Sequence, residues 1–399
     1  MSALLPLAEA QERLLRGVSP LPADTVSVET AVGRYLAAPL AAARTQPAAD
    51  LSAMDGYAVR SDDREGPWKV VGESAAGHPH SAALAQGQAI RISTGALMPP
   101  GDCAVLLQEN ATRDGDSLAL NGEGEPSERH IRRAGFDFSR GAGLLQAGER
   151  IGPAQLALAL AAGHSDLAVH RQPRIAILDS GDELVADPRA CSPHQIPASN
   201  GAMLAAMCAP HAAQVRRLGP VPDRMDAMLA ALDRAGDCEV IVTSGGASVG
   251  DHDLVRPALE QWGAEIDFWR VAIRPGKPLL VARKGPQWIV GLPGNPVSSY
   301  VTAFLFVLPL VRRLGGAAEP LPTPFEGRLA APLFEVGDRT EFVRAALISG
   351  RLAPITERDS SALLALSRAR ALIERPAGSP AAEAGEMVRA YWLENGGIA

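Results

Sequence analysis

Cysteine is scarce. Cys103, Cys191, Cys208 and Cys238 are scattered through 399 residues with no C-x-x-C pair. That spacing argues against a disulfide framework and a thiolate zinc site, and it fits a reducing cytoplasm. The sequence does not open on a basic segment followed by an apolar run, so no signal peptide is expected. The longest apolar stretch, residues 297–311, is interrupted by Ser298, Ser299, Tyr300 and Thr302. It falls short of the ~18–20 residues of a membrane span and reads as a buried helix, so no membrane is expected as a partner. Basic residues are not in excess. A net charge of −7 argues against general nucleic-acid binding. The chain also lacks G-x-x-x-x-G-K-[ST], and it lacks G-x-G-x-x-G in a first strand–helix unit. Neither a P-loop NTPase nor a dinucleotide dehydrogenase is therefore supported. There is no internal repeat.

What is present is apolar mass: 47% of the residues are hydrophobic, enough for more than one core. At ~100–200 residues per domain the length predicts two to four domains. Between residues 173 and 315, short apolar runs alternate with helical patterns. Residues 174–178, 213–218, 238–243, 266–271, 279–282 and 287–292 read as strands. Residues 199–208, with Ser199 and Asn200 as N-caps, 224–235 and 253–262 read as helices. This alternation predicts a mostly parallel α/β ligand-binding domain covered on both faces, with its ligand at the carboxyl ends of the strands.

The N-terminal part differs. Residues 4–15 and 28–36 read as short helices, and helical pattern returns at 153–162. Between them, about 43–139 is rich in Gly, Pro and Asp among short β-type runs, as expected for an inserted β-rich domain. Pro320, Pro322 and Pro324 mark a linker before a C-terminal small β domain. The expected units are 1–42 with 140–170 (helical), 43–139 (inserted, β-rich), 171–317 (α/β) and 318–399 (β).

Six polar stretches punctuate these elements. Asp55-Gly56 is an ordinary turn signal, or a bend where Gly56 presents the Asp55 carboxylate to a ligand. Ser93-Thr94-Gly95 offers a hydroxyl and backbone N–H groups at a strand end. Gly181-Asp182-Glu183 follows a buried strand. It serves either as an acidic helix start or as a pair of carboxylates directed to cap and ligand. Residues 244–253 (SGGASVGDHD) place Ser244, Gly245, Gly246, Ser248 and Gly250 between a buried strand and a helix, the composition of a phosphate cradle. Asp253 is either the N-cap of that helix or a metal ligand. Arg274-Pro275-Gly276-Lys277-Pro278 is a rigid basic turn suited to an oxyanion. Pro293-Gly294-Asn295 follows the last strand, ahead of Ser298. Three such loops at strand ends make one ligand site more credible than any of them alone.

In combination, SAMDGY (52–57), STGA (93–96), GDEL (181–184), SGGASVGDHD (244–253), RPGKP (274–278) and GLPGNPV (291–297) resemble the molybdopterin molybdenumtransferase family. This is the molybdenum insertase family, which includes bacterial MoeA and the C-terminal domain of gephyrin. The motifs occur in the family's order across about three quarters of the chain. The resemblance implies four domains: helical, inserted β-rich, α/β and a small β-barrel. It also implies a homodimer with a composite active site. The implied reaction joins molybdate to adenylylated molybdopterin, with Mg2+ or another divalent cation, and releases AMP and molybdenum cofactor.

By motif, the resemblance makes Asp55, Glu183, Asp223 and Asp253 the essential carboxylates, with Glu183 and Asp253 on the metal. Thr94, Gly181, Asp182, Asn200, Ser244, Gly245, Gly246, Ser248, Gly250, Pro293, Gly294 and Asn295 become ligand contacts. Arg274, Lys277, Ser298, Arg344 and Ser360 become the molybdate site. Arg132, Arg133 and Asp137 match a stretch of the β-rich domain. The upstream adenylyltransferase and molybdoenzyme chaperones are the implied protein partners. The chain departs from the pattern at Pro197-Ala198, at Arg274 where Lys is usual, and at Asp179-Ser180 in place of a Ser/Thr-Thr type pair. The rival readings are the adenylyltransferase itself, a scaffold, and a molybdopterin-binding paralogue without turnover.

Overall fold

Four runs, Gln214–Arg217, Arg174–Asp179, Val240–Ser244 and Gln287–Leu292, lie side by side in that order as parallel strands. Pro278–Lys284 and Glu265–Arg270 extend the sheet antiparallel. The computed structural model describes residues 4–245 and 254–393. The three central strands are fully buried over most of their length, as expected where helices cover both faces. One face packs Ile175, Ile177, Val240, Val242 and Val290 against the long helix. The other packs Ala176, Leu178, Ile241 and Ile289 against helices Met225–Arg234 and Val255–Gln261.

The apolar stretch forms one continuous helix, Pro296–Leu314. Its 19 residues are long and apolar enough to cross a membrane, longer than the sequence pattern suggests, but 89% of the apolar window is buried inside the protein. The middle turns, Ala303–Val307, are a π-helix. Pro309 has no N–H to return to the carbonyl of Leu305 and its ring crowds that group. The side-chain amide of Gln11 donates to the Leu305 carbonyl instead, at 2.9 Å.

The expected helical unit of 1–42 needs correction at two points. Residues 28–33 are hydrogen-bonded turns, and Tyr35 and Leu36 make isolated bridges to Arg150 and Val169, rather than a helix. Val28, Thr30 and Val32 are stiff at χ1, and Gly33 adopts φ 85°. The first helix, Leu7–Arg16, places Ala10 and Leu14 in the core of the α/β unit. Val28, Leu36 and Leu40 pack instead with Leu145, Ile151, Leu167 and Val169.

The β-rich segment is a six-stranded sheet in the order Cys103–Leu107, Gly56–Arg60, Gln88–Ile92, Trp68–Ser74, Ser117–Leu120, Ala111–Asp114. The C-terminal unit pairs Thr340–Ile348, Ala371–Arg375, Met387–Trp392 and Phe325–Arg328. A bridge from Leu329 to Leu352 joins its far ends and curls it round Leu333, Ala345, Ile373 and Ala390. This unit is tied to the α/β domain by strand pairing: Ile273 lies beside Thr340 and Arg274 beside Glu341.

Candidate active site

Asp179, Ser244 and Leu292 are in register at the carboxyl ends of the three buried parallel strands. The loops after them therefore leave from one edge. Between them lies a cleft of about 400 Å3 lined by Asp179, Glu183, Asn200, Ser244, Gly245 and Asn295, among others. Asn200 holds the loops together: its Nδ2 donates to Ser244 Oγ at 3.0 Å and to the Gly294 carbonyl at 2.7 Å. Neither Ser199 nor Asn200 caps the helix Ser199–Cys208. The N-cap is Ala198, which has no capping side chain. Gly245 has φ 94°, and a Cβ on Gly294 would come within 3.7 Å of Gly245 Cα, so the two loops meet at backbone distance. Gly246, Ser248, Gly250 and Asp253 lie outside the described residues.

The carboxylates of the neighbouring loops crowd one another. Asp182 and Asp223 exchange bonds: the Asp223 N–H donates to Asp182 Oδ1 at 3.0 Å and the Asp182 N–H to Asp223 Oδ2 at 3.4 Å. Burial, then the charges of Asp182 and Glu183, raise the Asp223 carboxyl above its ordinary value. Glu183 is exposed, with its carboxylate folded back over Gly181. No group of three or more His, Cys, Asp or Glu side chains is placed to hold a metal ion among the described residues.

A second cleft, also about 400 Å3, brings together all five residues of the expected oxyanion site: Arg274, Lys277, Ser298, Arg344 and Ser360. Sequence reasoning missed Arg339 and Arg358, which line it too. Their only sequence signal was proximity to Arg344 and Ser360. Five cations thus face three carboxylates, Glu341, Glu357 and Asp359. Arg274 Nη1 is 3.1 Å from Glu341 Oε1. Arg344 is 5% exposed and donates to the carbonyls of Glu357, Asp359 and Ala362. It shapes the loop that carries Ser360 rather than standing as a free cation, and burial holds its pKa below the ordinary arginine value. The two clefts share a wall. Asn295 Nδ2 donates to Ser360 Oγ at 2.9 Å, and the Val297 N–H to the Ser360 carbonyl at 2.9 Å.

Asp55 and Thr94 meet in the β-rich sheet. The Thr94 N–H donates to Asp55 Oδ1 at 2.7 Å, which, with the Thr94 side chain, holds the Asp55 carboxyl below its ordinary value. Gly56 opens a strand rather than a sharp bend, and a Cβ there would strike the Leu106 carbonyl. Arg133 is tied to Asp50 at 2.7 Å and Glu128 at 3.0 Å. Asp55 and Thr94 line neither cleft.

A multidomain protein with a glycine-lined cleft at strand ends beside a cleft rich in cations is the class this arrangement defines. Residues 5–163 match the MoeA N-terminal region (domain I and II), 176–313 a probable molybdopterin binding domain, and 326–393 the MoeA C-terminal region (domain IV). The chain is 33% identical to molybdopterin molybdenumtransferase of Haemophilus influenzae over 86% of its length and 85% of the relative's. It is 37% identical to that of Nostoc sp. over 74% of its length and 70% of the relative's. The molybdopterin biosynthesis MoeA protein of Pyrococcus horikoshii superposes with a TM-score of 0.76 at 28% identity, covering 98% of this chain and 99% of that one. The chain belongs to the molybdopterin molybdenumtransferase family, transferases of molybdenum cofactor biosynthesis.

Proposed function

We propose that the protein inserts molybdenum into adenylylated molybdopterin, taking molybdate as co-substrate and releasing AMP and molybdenum cofactor. The observation that carries this is the shared wall at Asn295 and Ser360. It sets a glycine-lined cleft at strand ends, the place for a phosphorylated ligand, against a cleft whose cations exceed its carboxylates. In this reading Ser244, Gly245 and Gly294 receive the phosphate end of the pterin. Lys277 and Ser298 hold molybdate, and Arg344 positions the Ser360 loop. The oxygen donors of the acidic loops suit a hard divalent cation such as Mg2+, which would relieve the repulsion among Asp182, Glu183 and Asp223. Glu183 and Asp253 would hold it, and when bound it polarises the phosphoanhydride.

Since Asp55 and Thr94 line neither cleft, we assign them to the site of a second copy, in a two-fold homodimer with two composite sites. The cytoplasm is the fitting compartment, with the upstream adenylyltransferase and molybdoenzyme chaperones as partners. The test is purified protein supplied with adenylylated molybdopterin, molybdate and Mg2+, scored for AMP release. It is paired with complementation of an insertase-deficient strain, scored by nitrate reductase. A protein that binds the pterin but releases no AMP, and does not complement, sinks the reading and leaves a binding paralogue.

A further inference from the structure

Asp179 ends the first buried strand, is 2% exposed, and lines the strand-end cleft. Its niche is built from two glycines. A Cβ on Gly201 would fall on Asp179 Oδ2, and a Cβ on Gly219 would lie 2.6 Å from the Asp179 carbonyl. The carboxylate lies against Gly201, whose backbone N–H favours its ionised form. Gly201 is the third residue of the helix Ser199–Cys208, whose N-cap, Ala198, offers no side chain. Asp179 thus sets a carboxylate against the first turn of this helix from the neighbouring strand, in the place where an anion normally binds. Oδ1 has no hydrogen-bond partner among the described residues.

We propose that Asp179 is a specificity-determining residue of the cleft: its carboxylate is the resident anion of this helix end. It turns the ligand's phosphate away from Ser199–Cys208 and towards Ser244 and Gly245 at the end of the neighbouring strand. The assignment rests on the reading that the cleft takes a phosphorylated ligand. Asp179 and Ser244 are neighbours in the sheet, so two anions at the two loop starts would repel. Filling one end from within leaves a single phosphate position and fixes which way round the ligand lies.

The charged groups around Asp179 are Arg217, from the edge strand, which favours its ionised form, and Asp182, Glu183 and Asp223 on the loops beyond. Burial outweighs Arg217 and lifts the Asp179 carboxyl to about 6. Below that value the resident charge is lost and the helix end opens to an outside anion.

The probe is inorganic sulfate, whose charge is constant between about pH 5 and about pH 8, titrated calorimetrically into the full chain. The basic cleft contributes equally to every variant. At pH 8, Asp179→Asn and Asp179→Ser are expected to bind sulfate about tenfold tighter than the unaltered protein. The unaltered protein should tighten as pH falls through about 6, while Asp179→Asn stays nearly flat. Equal affinities at pH 8, or the same pH profile in both proteins, overturn the proposal. If neither variant folds, a flat profile of the unaltered protein overturns it alone. Sulfate binding is independent of AMP release, so loss of the proposed reaction leaves this result standing.

Discussion

Asn295 and Ser360 come from different units of the chain and meet at 2.9 Å, amide to hydroxyl. Around this contact the α/β domain and the C-terminal β unit become one surface with two clefts. The second link, from the Val297 N–H to the Ser360 carbonyl, fixes the start of the long helix to the same loop.

Asn295→Ala should therefore separate the two clefts without unfolding either domain. Losing one partly exposed hydrogen bond costs about 1 kcal/mol. The kinetic effect should be larger than the stability effect, because the cleft wall is held at this point. We expect a higher molybdate requirement at saturating pterin, read from AMP release against molybdate concentration. An unchanged requirement would detach the contact from function.

Lys277 and Arg344 should respond differently to removal. Lys277 is exposed at the basic cleft. Lys277→Ala should raise the molybdate requirement roughly 10- to 100-fold, with rescue at high molybdate, since one charge-assisted bond is lost. Arg344→Ala leaves three loop carbonyls without their donor. It should lower stability by about 3 kcal/mol, and high molybdate should not restore activity. Rescue of Arg344→Ala by molybdate would return Arg344 to direct oxyanion binding.

The contrast between these two residues reflects what the sequence can carry. The strand-then-glycine pattern at 240–245 and 287–294 is local, so the strand ends and the cleft between them were legible. The convergence of RPGKP with Ser298, Arg344 and Ser360 came from the family resemblance, and the structure puts Arg274, Lys277, Ser298, Arg344 and Ser360 at one cleft. The use each residue makes of its donors was not legible. Asn200 bonds partners 44 and 94 positions away, and Arg344 spends its N–H groups on a loop 13–18 positions on. The segment 28–36 misled because its apolar spacing imitates a helix while Gly33 and β-branched residues prevent one. The π-helical stretch depends on Pro309 and on Gln11 from another element.

Asp55→Ala should abolish cofactor formation with little change in thermal stability, since an exposed carboxylate is removed. In a composite dimer, mixing Asp55→Ala with Asp253→Ala chains leaves one intact site in each heterodimer. With random pairing, about a quarter of the activity should return. No recovery after subunit exchange, or a monomer by light scattering, would count against the shared site.

Asp179→Asn should stabilise the protein at neutral pH and not at acid pH. The folded-state carboxyl sits at about 6, above its ordinary value of 3.8, because burial penalises the charge. A raised acid binds protons more tightly when folded, so its contribution to stability is largest below about pH 4. That contribution falls as pH rises and is lost above about 6. Holding the ionised carboxylate in this niche at neutral pH therefore costs about 3 kcal/mol. Asparagine carries no charge at any pH. The difference in unfolding free energy, Asp179→Asn minus unaltered protein, should therefore grow from near zero at pH 4 to about 2–3 kcal/mol at pH 7.5. Taking the difference cancels the other carboxylates, including Asp55, whose lowered value works in the opposite direction. The measurement is denaturant unfolding at a series of pH values. A difference that does not vary with pH would mean that Asp179 is not held as a costly buried charge.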